Sequence, residues 1–231
     1  MSQGVSRRRF LGVSIAGGIG MSVAGCLGNG EETDEEVETE VVDEEVFSAP
    51  FRTDGLGNDG TWTRIEIANN STVAHGKLEI QTEFFAEGGS MLGFENRSTD
   101  YLPANTTWRY YLRKEYETED VYELRHSRYT EHGRPQGSPL EDAQIVDSSM
   151  EVEDDIVDIS GEVAFDEDSP DRIAVVALVY DESDRFLGTT SDVIDNPGET
   201  VSFSGDTRDL ITPHGEDDPD AYEIRVFDEQ P

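Results

Sequence analysis

Arg172-Ile-Ala-Val-Val-Ala-Leu-Val-Tyr180 is continuously apolar after its first residue. A half-exposed strand alternates, whereas a strand buried on both faces reads like this one. The stretch therefore belongs at the centre of a sheet or beneath a second domain. At a separation of 95 positions, Gly76-Lys-Leu-Glu-Ile-Gln-Thr-Glu-Phe-Phe85 alternates and turns Leu78, Ile80, Thr82 and Phe84 inward. Leu78, Ile80 and Thr82 fall on Ile173, Val175 and Ala177. Phe84-Phe85 followed by Met91-Leu-Gly93 falls on Val179-Tyr180 followed by Phe186-Leu-Gly188. Leu102-Pro-Ala-Asn-Thr-Thr107 corresponds to Asn196-Pro-Gly-Glu-Thr-Val201, and Asp120-Val-Tyr-Glu-Leu-Arg125 to Asp220-Ala-Tyr-Glu-Ile-Arg225. Four matches in one order at nearly constant spacing predict tandem domains of roughly 90 residues each.

The remaining segments are short and separated by turn residues, which is a strand signature. Thr61-Trp-Thr-Arg-Ile-Glu-Ile-Ala68 puts Ile65 and Ile67 on one face and Arg64 and Glu66 on the other. Glu87-Gly-Gly-Ser90 reads as a hairpin loop before Met91. Thr106 to Leu112 and Val121 to Arg125 supply two further strands, and no stretch carries a helical period. The expected fold is all-β, with antiparallel β-sandwich domains over residues 46–128 and 140–231. The intervening 129–139 contains Gly133, Pro135, Gly137 and Pro139, a linker or long-loop composition.

At the N-terminus, adjacent arginines precede a mildly apolar run that ends in small residues, Ala24-Gly25-Cys26. That is the order of an export signal over residues 1–25. Arg7, Arg8 and Arg9 with Phe10 and Leu11 resemble a twin-arginine signal. The Ala-Gly-Cys ending resembles a lipobox, which implies cleavage before Cys26 and a lipid on its side chain. The run is too short and glycine-rich for a membrane span. Cys26 is the only cysteine, so it has no intrachain disulfide partner. Residues 26–45 are acidic and lack aromatics, which predicts a disordered tether.

Asp and Glu number 52 against 17 Lys and Arg, a formal charge of −35; loss of Arg7, Arg8 and Arg9 with the signal makes it −38. Such a charge opposes a compact state in low salt. At molar salt the screening length falls to about 3 Å and the repulsion fades. The balance resembles that of haloarchaeal proteins. Without a basic face to displace counterions, nucleic acid is excluded as a partner.

Chemistry-bearing patterns are few. Gly55-Leu-Gly-Asn-Asp-Gly60 has dinucleotide-binding spacing but precedes a strand with no helix after it, and reads as a strand connection. Acidic turns at Asp166-Glu-Asp168 with Asp171, Asp181-Glu-Ser-Asp184, and Asp217-Asp218 with Asp220 are candidate calcium loops, yet none follows the twelve-residue pattern. His75, His126, His132 and His214 sit in turn or linker sequence and read as surface residues, with no zinc set or catalytic triad. No metal site and no cofactor is expected. Glycosylation sequons begin at Asn69, Asn70, Asn96 and Asn105, all in the first copy.

Val179-Tyr-Asp181, Phe186-Leu-Gly188, Pro197-Gly-Glu-Thr200 and Tyr222-Glu-Ile224 resemble the FxLYD-type domain of exported prokaryotic proteins. The first copy carries weaker forms, Phe84-Phe-Ala86, Met91-Leu-Gly93, Pro103-Ala-Asn-Thr106 and Tyr122-Glu-Leu124, and neither copy has the naming motif literally. The resemblance implies immunoglobulin-like sandwiches and no catalytic residues. The expectation is a non-enzymatic surface lipoprotein, held to the extracytoplasmic membrane face through Cys26 and acting as an interaction or envelope module with a protein partner. The alternative is a ligand- or calcium-binding accessory lipoprotein of a transporter or redox system.

Overall fold

The structure is a computed structural model that describes residues 38–50, 59–114, 120–129, 133–153, 156–165, 170–207, 210, 212–213 and 217–231. The signal, Cys26, His132, His214 and the cluster at residues 166–168 lie outside them. The described residues are all-β, without an α-helix.

Twelve strands follow in order: β1 Thr39–Pro50, β2 Asp59–Asn69, β3 Leu78–Phe85, β4 Met91–Thr99, β5 Thr107–Lys114, β6 Glu123–Tyr129, β7 Ala143–Glu153, β8 Ile156–Phe165, β9 Arg172–Asp181, β10 Phe186–Asp195, β11 Thr200–Thr207 and β12 Pro219–Phe227. They form three sheets, ordered β1-β2-β5-β10-β9-β12, β11-β8-β7 and β4-β3-β6. Within β1 to β6 the neighbours run β1-β2-β5 and β4-β3-β6. Within β7 to β12 they run β7-β8-β11 and β10-β9-β12, which is the same connectivity. The quoted matches thus occupy equivalent strands: β3 with β9, β4 with β10, β5 with β11, β6 with β12.

The expected alternation holds. In β3, Leu78, Ile80, Thr82 and Phe84 are buried between half-exposed neighbours. In β2, Ile65 and Ile67 are buried while Arg64 and Glu66 reach the surface side. The β3–β4 connection is a tight turn in which Gly88 and Gly89 both have positive φ (95° and 83°), a conformation that side-chain-bearing residues avoid. The turn closes by Ala86 N–H donating to Ser90 O at 2.9 Å.

The two halves meet inside one sheet. Strand β5 lies beside β10 in parallel, with Phe186 opposite Trp108, and every other strand pair is antiparallel. The Trp108 indole N–H donates to Leu187 O at 2.8 Å. Gly188, at a bulge of β10 with φ 145°, leaves room beside it: a Cβ there would stand 2.7 Å from Leu210 and 3.4 Å from the Trp108 ring nitrogen.

Strand β9 is an interior strand of this sheet, between β10 and the edge strand β12, and its two faces enter different cores. Ile173, Val175, Ala177 and Val179 pack with Val157, Ile159, Val163 and Phe203 of the second half. Ala174, Val176 and Leu178 pack with Ile65, Leu78, Phe84, Trp108 and Leu112 of the first. The uninterrupted apolar run has this double burial as its cause.

Three expectations need correction. Ordered strand begins at Thr39, within the 26–45 stretch expected to be a disordered tether. Acidic composition concealed it, because β1 is an edge strand that solvates its acids while Val41 and Val46 pack against the core. Arg64 further holds Asp43 and Glu45, each at 3.0 Å. Secondly, the stretch expected as a linker over 129–139 is anchored where it is described. Tyr129 ends β6, Pro139 bridges Phe227, and the Ser138 and Asp228 backbones bond at 3.1 Å. Thirdly, two histidines expected at the surface are not there. His75 is 1% exposed, and the His126 side chain is 8% exposed between Thr82 and Glu44.

Candidate functional site

Among the described residues, polar contacts between the halves include two clusters along the seam. The first centres on Asp217, just before β12. In β5 the alternation sends Trp108, Tyr110 and Leu112 into the core and leaves Arg109 and Tyr111 on the other face. There Arg109 donates to Asp217 Oδ2 at 2.8 Å, and the Tyr111 hydroxyl donates to the same oxygen. Arg185, from the β9–β10 turn, donates to Asp217 Oδ1 and to Asp181 Oδ2, the latter at 2.6 Å. Asp181 is buried and also accepts the backbone N–H groups of Ser183 and Arg185, closing that turn. Arg109 reaches on to Glu66 in β2.

Burial alone would raise the Asp217 pKa. Hydrogen bonds from Tyr111 and Arg109, with the charges of Arg109 and Arg185, outweigh it and hold the carboxyl below its ordinary value. Burial, reinforced by the bond to Asp217, pushes the Tyr111 phenol up, so it stays a neutral donor. Two of the three acidic turns weighed as calcium loops therefore direct a carboxylate at guanidinium groups. Among the described residues, no group of three or more His, Cys, Asp or Glu is placed to hold a metal ion.

The second place is a hydroxyl-lined recess of about 170 Å³ between the end of β4, the middle of β10 and the end of β11. Ser98, Thr189, Thr190, Ser191 and Thr207 line it with Asp100 and Asp206. Asp100 is engaged within the wall: its N–H donates to Thr189 Oγ1 at 2.8 Å and its carboxylate accepts from Ser191 Oγ at 2.7 Å. The lining is thus hydroxyl and carboxylate groups, with the Ser191 hydroxyl held by Asp100.

The four sequons separate. Asn69 is 1% exposed, and its amide nitrogen donates to the carbonyls of Val73, Leu102 and Pro103. It is a loop clamp, and the expectation that it could accept a glycan is corrected for the folded chain. Asn70 is exposed and donates to Glu40 Oε1 at 2.8 Å. Asn105 is exposed in a left-handed turn position, φ 53°. Asn96 is exposed on β4. Residues 55–58 of the Gly55–Gly60 stretch lie outside the described residues, and Asp59 and Gly60 open β2.

His75 gives the fold a pH dependence. Its Nδ1 lies 2.9 Å from Gly76 O, and its Nε2 is buried without a partner among the described residues. Burial lowers its pKa, the Gly76 bond pulls the other way, and the Arg128 charge lowers it further. Below the ordinary value of 6.5 the unfolded chain takes a proton that the native chain resists. Stability is therefore expected to fall as pH drops below 6.5, and His75→Gln is expected to flatten that slope in denaturant titrations between pH 7 and 5. An unchanged slope would remove His75 as its source.

The Asp217 hub escaped the sequence reading, which weighed Asp217 only as part of a candidate calcium loop. Its signal was the alternation in Thr107-Trp-Arg-Tyr-Tyr-Leu-Arg-Lys114, which already put Arg109 and Tyr111 on one face. Strand β7 is an outer strand of its sheet and carries exposed apolar side chains. Ile145 and Val152 are each 38% exposed, and Val146, the bulge residue between the paired Ile145 and Asp147, is 59% exposed. Comparison with protein-family models and with curated proteins finds no match to this chain.

Proposed function

We propose that the chain is an exported lipoprotein, anchored by Cys26 to the extracytoplasmic membrane face, whose two FxLYD-type, immunoglobulin-like halves form a non-enzymatic interaction module. The observation that carries the interaction reading is the open edge of β7. The eleven-residue strand pairs with β8 on one side and presents its other backbone edge beside Ile145, Val146 and Val152. An edge of that length with apolar side chains is a template for a strand of another protein. The charge suits the setting, since at molar salt the acids of β7 are screened and the apolar positions and backbone govern pairing.

The test is crosslinking in native membranes at high salt, with the crosslinked peptides mapped. Crosslinks from a partner should fall on residues 143–153. A lysine on a strand edge opposes pairing, so Val146→Lys is expected to reduce them about tenfold, a change of about 1.4 kcal/mol in binding. A partner captured equally by Val146→Lys, or mapped wholly to other strands, would overturn the assignment of the edge.

A further inference from the structure

We infer that Asn96 is a glycan acceptor and that the exposed ring of Phe94 is the seat on which its first sugar rests. The inference builds on the extracytoplasmic reading above, because the transfer occurs outside the cell.

Strand β4 is the outer strand of its sheet and pairs with β3, Phe94 opposite Glu83 and Asn96 opposite Gln81. The inward positions of β3 are Leu78, Ile80, Thr82 and Phe84, so the intervening Gln81 and Glu83 mark the outer face. Phe94 and Asn96 share that face, two residues and about 7 Å apart along the strand. Phe94 is 55% exposed, an unusual state for a phenylalanine beside charged strand neighbours. Asn96 is exposed as well. Its Oδ1 accepts from Gln81 Nε2 at 3.2 Å, while its amide nitrogen donates to no group among the described residues. That nitrogen is the atom a transferase modifies, and Ser98 completes the acceptor triplet.

The three other acceptors lack this combination. Asn69 is buried with its nitrogen committed three ways, and the Asn70 nitrogen is held by Glu40. Asn105 lies in a turn outside any strand face. At Asn96, transfer forms a bond from C1 of the sugar to the amide nitrogen and breaks the C1–O bond of a lipid-phosphate-linked glycan donor. The amide proton leaves with the phosphate. A pyranose so attached presents its C–H face to the Phe94 ring and removes that ring from water.

The experiment maps glycopeptides of the protein purified from its own membranes. It then compares melting of wild type, Ser98→Ala, Phe94→Ala and the double variant from the same host. Asn96 should be occupied and Asn69 bare. Loss of the glycan through Ser98→Ala should lower Tm by about 2 °C or more, the scale of one aromatic stacking contact in a chain of this size, and should do much less where Phe94 is already alanine. Protein that carries lipid on Cys26 but is bare at Asn96 would overturn the inference and leave the export reading standing. An occupied Asn96 whose loss lowers Tm equally in both backgrounds would overturn the seat. A chain kept inside the cell with its signal uncleaved would overturn both.

Discussion

Leu178→Ala is expected to destabilise both halves together, by about 2–5 kcal/mol, in a single shifted transition. Leu178 is fully buried and points from β9, a strand of the second half, into the core built largely by β2, β3 and β5 of the first. Truncation leaves a cavity that neither sheet closes without moving strands the halves share. Calorimetry is the check. If the repeats melted independently, the variant would shift only one of two resolved transitions. The expected result is one transition before and after the substitution, because β9 supplies both cores and lies in one sheet with β5.

Asp217→Ala carries the second large effect, a loss of about 3–5 kcal/mol. The carboxylate side chain is 6% exposed and is shared by Arg109, Arg185 and Tyr111. Its removal leaves the Arg109 guanidinium, only 15% exposed, with Glu66 as its remaining carboxylate and takes the acceptor from the buried Tyr111 hydroxyl. A buried guanidinium that loses one of its two carboxylates loses more than an exposed pair is worth. The same hub sets a second acid limb. Because the native Asp217 pKa lies below 3.8, its contribution is present above that value and is lost as pH falls through the lower native pKa. Urea titrations from pH 5 to 2 should show wild type losing stability that Asp217→Ala never had. Parallel curves for the two would remove Asp217 from the acid limb.

Much of the architecture was legible because burial writes a period into the sequence. The two-residue alternation of β3 and the unbroken run of β9 each report how many faces are covered, and the repeat aligned strands that prove topologically equivalent. What escaped has a common physical origin. The part of β1 read as tether, residues 39–45, takes its order from backbone pairing with β2 and from Arg64, and only Val41 and Val42 there are apolar. Asn69 looks like any sequon until the loop carbonyls of Val73, Leu102 and Pro103 close around it. Asp217 looks like any turn acid until strands of the other half bring Arg109 and Tyr111 to it. Long-range partners decide these roles, and a local pattern carries no trace of them.

The fusion of the halves also bears on how the proposed module works. A partner strand added to β7 would extend a sheet whose neighbour β8 packs onto β9. Binding at that edge is thus borne by one continuous body rather than by a domain free to swing on a linker. The described part of that linker is bonded to Asp228 and packed beside Phe227.

The most direct test of the anchored-module account is the N-terminal peptide of the protein recovered from its native membranes at molar salt. The account expects a chain that begins at Cys26 with a lipid-sized mass on it, released from the membrane fraction by detergent and, in a Cys26→Ser variant, never retained there. A chain that still begins with Met1 and its signal, recovered from the cell interior, would contradict it.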